Sequence, residues 1–222
     1  VIDPAWWTQD MVGVRSSKPG GGALHAIAGT IMQTLIASLF SIPIGIFTAI
    51  YLVEYSNGNK LGKLTTFMVD ILSGVPSIVA ALFIFAMWIT LFGFGRSGFA
   101  VALSLVLLMI PIVVRNTEEM LRVVPMDLRE ASYALGVPKW KTIAKIVLPT
   151  ALSGIVTGIM LAVARVMGES APVLILVGAT RAMNWNPFDG NQQSLPLMMV
   201  QQYNNGPGAF DQVWGAALTL VI

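Results

Sequence analysis

The chain has 222 residues, of which 55% are hydrophobic and 11% charged, and its mean hydropathy is +0.75. These values exclude an ordinary soluble domain and fit an all-α, polytopic transmembrane helix bundle. The formal charge of +2 says little by itself; without cysteine there is no disulfide framework or thiolate metal site, the lone His25 argues against a histidine-based site, and no basic tract suits nucleic acid.

A span needs about 20 mostly apolar residues to cross roughly 30 Å of hydrocarbon. Ahead of the first such run, Trp6 and Trp7 sit in a polar, irregular stretch and are predicted to anchor at the membrane interface. Spans are predicted over residues 23–53, 63–94, 98–123 and 146–177, with a partial span from about 209. The last offers 14 residues, about 21 Å at 1.5 Å per residue, which is short of a crossing. The chain opens at Val1 with no initiator Met, so a fragment lacking at least one helix is expected. Pro43 and Gly45 in the first span, and Ser73, Gly74, Pro76 and Ser77 in the second, predict either bends around a polar pathway or close packing of small residues. The connection after Val53 is rich in turn residues. Its Gly58 to Lys63 stretch is like a phosphate loop only superficially, because Leu64 stands where a magnesium-binding Ser or Thr is needed. ATP, if used, therefore belongs to another polypeptide.

Lys60, Lys63, Arg122, Arg129, Lys139, Lys141 and Lys145 lie in or beside two polar connections on one predicted side, against Arg15, Lys18, Arg96 and Arg181 on the other. That excess makes the first side cytoplasmic. The polar stretch 178–208 then lies outside, as a docking loop or an interface-hugging one anchored by Trp185 and Phe188.

Between the third and fourth predicted spans, the connection 124–145 carries the densest local signals. Asp127 is predicted to cap a helix whose third residue is Glu130, Gly136 to supply a left-handed stop, and Pro138 to open the next helix. The result is a helix over 128–135 with Leu128, Ala131 and Leu135 on one stripe and Arg129 pointing elsewhere. It is too short to be stable alone and must rest against its own bundle or a partner.

Intramembrane charges cost about 2.5–3.5 kcal/mol each on insertion scales, and two clusters accept that cost. Arg165 and Glu169, four residues apart in the predicted span 146–177, share a face. Arg115 and Glu118, with Glu119, lie toward the cytoplasmic end of the span before it. An arginine fork facing a cavity suits a tetrahedral oxyanion, with Glu169 tempering the site. An interhelical salt bridge that only fixes packing fits Arg165 and Glu169 equally and Arg115 and Glu118 slightly better.

Glu130, Ala131, Gly136, Ile146, Leu148 and Pro149 are spaced E-A-x-x-x-x-G, nine residues, I-x-L-P. This pattern resembles the cytoplasmic E-A-A loop of permease subunits of bacterial ATP-binding-cassette importers, with Ser132 where a second Ala is usual. The resemblance implies a type I importer permease fold in a single transmembrane domain over 1–222. It also implies a coupling role for Glu130, Ala131 and Gly136, to which we add Tyr133 and Trp140 as contact or anchoring residues. Ile42-Pro43-Ile44-Gly45, Ile50-Tyr51-Leu52-Val53-Glu54-Tyr55, Asp70-Ile71-Leu72-Ser73-Gly74-Val75-Pro76-Ser77, Arg115-Asn116-Thr117-Glu118-Glu119 and Arg165-Val166-Met167-Gly168-Glu169-Ser170-Ala171-Pro172 are similar to the A-type permease family of phosphate importers. That resemblance implies a multi-pass subunit of the bacterial cytoplasmic (inner) membrane, working as a heterodimer with a second permease. Two ATPase subunits carrying ATP and magnesium, and an extracytoplasmic phosphate-binding protein, complete the implied assembly. This chain itself is expected to bind no cofactor or metal and to hold no catalytic residue. The alternatives are a permease for another oxyanion and a passive anion channel. An intramembrane enzyme would have only carboxylate chemistry to use.

Overall fold

Inside a bilayer the backbone must satisfy its own hydrogen bonds, which a single chain of this hydropathy achieves with helices. The computed structural model describes residues 4–14 and 20–222, and among them every regular element is helical. Arg15 and Lys18 lie outside the described residues. In chain order the helices are α1 (Pro4–Thr8), α2 (Leu24–Ile50, continued by a π turn Tyr51–Tyr55), α3 (Lys60–Ser73), α4 (Ser77–Ile84, continued by a π turn Phe85–Leu91), α5 (Gly98–Val123), α6 (Met126–Ala134), α7 (Lys139–Thr142), α8 (Leu148–Met167, preceded by a π turn Ile143–Val147), α9 (Ala171–Leu176), α10 (Leu195–Asn204) and α11 (Phe210–Val221). Among the described residues three stretches are long and apolar enough to cross a membrane: Leu24–Tyr55, Gly98–Val123 and Lys139–Met167. The α3–α4 pair makes a fourth if its halves count as one broken span.

Three departures from the predicted elements have local causes. The span 63–94 breaks, because α3 stops at Gly74 and Pro76, extended at φ −61°, ψ 142°, starts α4; proline also drives Val75 out of helical geometry. The span 146–177 breaks as well. Helix α8 ends at Met167, and Pro172 sits in the first turn of α9, so Glu169 lies beyond the helix that carries Arg165. The stretch 178–208 is only partly a surface loop: Ser194 caps α10 by accepting from the Leu197 amide at 3.3 Å, and residues 192–198 are buried.

The chain divides into two compact units. The first comprises Leu39–Gly74 and Leu108–Val163 and contains all seven basic residues predicted to face the cytoplasm. Its core joins Ala49 and Leu52, Val69, Val114 and Leu121, and Val147, Ala151 and Ile155. Pro43 does not interrupt α2, and Gly45 marks a close approach: a Cβ there would fall 2.6 Å from Val113 Cγ1. Gly45→Val is expected to overpack this contact at a cost of about 1–3 kcal/mol, read as a lower melting temperature of the detergent-purified protein.

The second unit comprises the described residues up to Ser38, with Val75–Leu107 and Ala164–Ile222. Trp6 is not an interface anchor but part of this core, with Met11, Ala23, Ala26, Leu195, Met198 and Ala216. Its Nε1 donates to Thr219 Oγ1 at 2.9 Å, whereas Trp7 is exposed. Polar groups that composition assigned to a loop satisfy one another here. The Leu195 amide donates to Thr30 Oγ1 at 2.9 Å and Gln33 Nε2 to Gln192 Oε1 at 3.3 Å.

Candidate coupling surface and charged pathway

Helix α6 begins one turn-signal earlier than predicted. Pro125, at φ −57° and ψ 140°, precedes it with no side-chain cap, so Asp127 is not the cap. It lies in the first turn, where its charge complements the helix dipole. Gly136, at φ +75°, closes the helix, with its amide bonded to Tyr133 O at 2.9 Å and that of Val137 to Ser132 O at 3.2 Å. Pro138 then opens α7.

The helix is turned opposite to an ordinary surface helix. Arg129 and Ser132 are buried, while Leu128, Glu130, Ala131, Tyr133 and Leu135 face out, Leu135 at 84% exposure. Ser132 Oγ lies 2.8 Å from Thr142 Oγ1, which ties α6 to α7 through the very residue that departs from the usual Ala. Trp140 on α7 is 65% exposed. Thus Glu130, Ala131, Tyr133, Gly136 and Trp140 all lie on the exposed side, and the apolar stripe is exposed among the described residues. Its inward neighbours, Glu54 and Arg129, form a buried ion pair at 2.9 Å that no periodicity announces, since the two stand 75 positions apart.

Also in the first unit, the structure gathers a chain of four charges. Arg115 donates to Glu118 at 2.8 Å and also to Asp70, and Arg122 donates to the other Glu118 oxygen at 2.6 Å. Two cations and two anions balance. Asp70 has no sequence signal beyond being an acid in an apolar run; Arg115 and Glu118 are where helical spacing puts them. Beside Asp70, Glu118 and Arg122 lies a cleft of about 540 Å³ that Lys63 and Asn57 also line.

Arg165 and Glu169 belong to the second unit. Arg165 is exposed on the last turn of α8. Among the described residues no ion pair joins it to Glu169, whose amide bonds to Val166 O at 3.1 Å in the turn that follows α8. The predicted pairing on one helical face is therefore not formed, because the helix ends between the two residues. No structural salt bridge occupies either group among the described residues.

Residues 41–221 match the family described as the binding-protein-dependent transport system inner membrane component. The phosphate transport system permease protein PstA 1 of Mycobacterium tuberculosis (strain CDC 1551 / Oshkosh) is 57% identical over 223 aligned positions, covering 100% of this chain and 73% of that protein. The chain belongs to the PstA permease family. PstA of Mycobacterium leprae is 56% identical over 98% of this chain and 71% of its own. A permease chain of the inward-facing MetNI methionine ABC transporter superposes with TM-score 0.68 at 21% identity, covering 90% of this chain and 86% of that one, which shows a shared type I importer permease fold. The permease is accordingly a multi-pass membrane transport subunit. The charged residues of the four-charge chain, Glu54, Arg129, Arg165, Glu169 and the α6 and α7 residues all fall within the family match.

Proposed function

We propose that this permease forms one half of the pathway by which an ATP-driven importer moves inorganic phosphate across the bacterial cytoplasmic membrane. A second, related permease supplies the other half, an extracytoplasmic phosphate-binding protein delivers substrate, and two ATPase subunits bind ATP and magnesium. The 57% identity to a phosphate transport permease along the whole chain carries this reading. The outward apolar face of α6 and α7 adds support, since a short helix with its greasy side exposed fits a groove on a partner. Closure of the ATPases on ATP moves that helix, and the bundle alternates between its two open states.

In this scheme Arg165 receives phosphate. Its fork of donors matches two oxygens of a tetrahedral anion, and no carboxylate of the described residues competes for it. Glu169, nearby in sequence, weakens the hold on a fully ionised anion and so favours release. Arg115 is already engaged by Asp70 and Glu118 and contributes to the pathway through a neutral network. Sulfate carries the same shape, so the two anions must be separated by experiment. Cells deleted for the gene and then complemented should lose and regain uptake of labelled phosphate at low external phosphate, undiminished by excess sulfate. Uptake that sulfate abolishes would assign another oxyanion. Arg115→Lys, which keeps the charge but not the fork, is expected to lower uptake only a few-fold, about 1 kcal/mol or less of lost interaction, measured in the same assay.

A further inference from the structure

We propose that Arg129 and Glu54 act as a strut that carries the movement of α6 into the end of the first span. The inference rests on the reading of α6 as the coupling helix. Helix α6 has nine residues, too few to hold its own position, and its covalent ties are Pro125 on one side and the Gly136 turn on the other. A helix held only at its two ends rolls when its outer face is pulled. Its inner face resists this through the Ser132 contact with α7 and, against α5 and the first span, through one guanidinium. Arg129 Nε and Nη2 donate to Glu54 Oε1 at 3.2 and 2.9 Å, Nη2 also to Leu121 O at 2.9 Å, and Nη1 to Val124 O at 2.6 Å. The Leu121 carbonyl lies in the last turn of α5, where helix acceptors lack intrahelical partners, and the Val124 carbonyl lies just beyond it. One side chain therefore fastens α6 to both α5 and the first span.

The other flank of the Gly136 turn reaches the same place. Lys139 Nζ donates to the Glu54 carbonyl and stands 4.9 Å from the centre of the Tyr55 ring. Glu54 is presented by the π turn Tyr51–Tyr55, whose extra residue rotates the helix end. Both members of the pair are nearly inaccessible, at 6% for Arg129 and 5% for Glu54. A buried pair of this kind contributes little net stability compared with apolar side chains of the same size. What it adds is a fixed, directional link between elements far apart in sequence.

The same energetics supply the test. Replacing both partners, Glu54→Met with Arg129→Met, removes the strut without stranding a charge, so folding survives. The complete importer would be reconstituted in proteoliposomes, with melting temperature, ATP hydrolysis and phosphate uptake all measured. Phosphate moved per ATP hydrolysed is expected to fall about tenfold or more, the scale of a lost coupling energy, with assembly and hydrolysis retained. A second readout needs no phosphate. Because the chain has no cysteine, a single Phe47→Cys reporter on the exposed face of α2 is the one thiol of the permease, and its labelling, read on the permease band after the subunits are separated, should change in rate with ATP in the parent and lose that change in the double Met variant. An unaltered ATP response at the reporter, or an unaltered ratio of phosphate to ATP, overturns the strut. Failure of the phosphate reading is separate, since it is seen as absent uptake by the unmodified complex while the reporter still responds.

Discussion

Arg165→Ala is expected to reduce phosphate uptake about 30-fold to 1,000-fold at normal abundance in the membrane, the consequence of losing a charge-assisted interaction of roughly 2–4 kcal/mol. A charge placed within an apolar segment is disfavoured, and in this permease the other intramembrane arginine offsets that cost with two carboxylates. Arg165 has no such ion pair among the described residues, so an incoming anion is the compensation that the transport cycle provides. Arg165→Lys retains the charge as a point and loses the planar fork, and should fall between the parent and the alanine variant. Initial rates of labelled phosphate uptake, normalised to permease abundance by immunoblot, check both. Parent-like uptake by the alanine variant would remove Arg165 from the pathway.

Leu135→Asp is expected to detach the ATPase subunits, so that they no longer copurify with the permease and ATP-driven uptake falls to background. Leu135 is 84% exposed at the end of α6, next to the Gly136 stop. In the complex proposed here its side chain is covered, and burial of a leucine contributes about 1.5–3 kcal/mol. An aspartate in its place not only forfeits this but must be desolvated without a partner. The permease alone loses nothing, because no core contact is touched. Its melting temperature should therefore equal that of the parent, which separates a docking defect from misfolding. Retention of the ATPases by the Asp variant would place their groove elsewhere.

The coupling segment was legible because its signals are local: Gly136 and Pro138 specify a stop and a start whatever surrounds them. The orientation of α6 was not. A helical wheel sets the apolar stripe apart from Arg129 but leaves open whether the bundle or a partner covers it, and the structure buries Arg129 and exposes Leu128 and Leu135. Asp127 was misread as a cap because Pro125 starts the helix first. Gly74 with Pro76, and Gly168 with Pro172, marked the breaks in the second and fourth spans, but hydropathy averaged over a window runs across such breaks, and Glu169 was consequently set on a helix that ends before it. Polar composition pointed to a loop for 178–208, whereas Gln192 and Ser194 are satisfied inside the protein by Gln33 and the Leu197 amide. The partnerships of Asp70 with Arg115 and Glu54 with Arg129 span 45 and 75 positions, a separation over which no periodicity in one sequence reports contact.

The most direct test of the permease as a coupled phosphate importer is accumulation of labelled phosphate by proteoliposomes holding the complete assembly, with the binding protein on one face and ATP supplied to the ATPase face. Coupled import requires accumulation against a phosphate gradient that stops when ATP is withheld or replaced by a non-hydrolysable analogue. Equal flux with and without ATP, running down the gradient and never against it, would contradict the account and leave a passive anion channel.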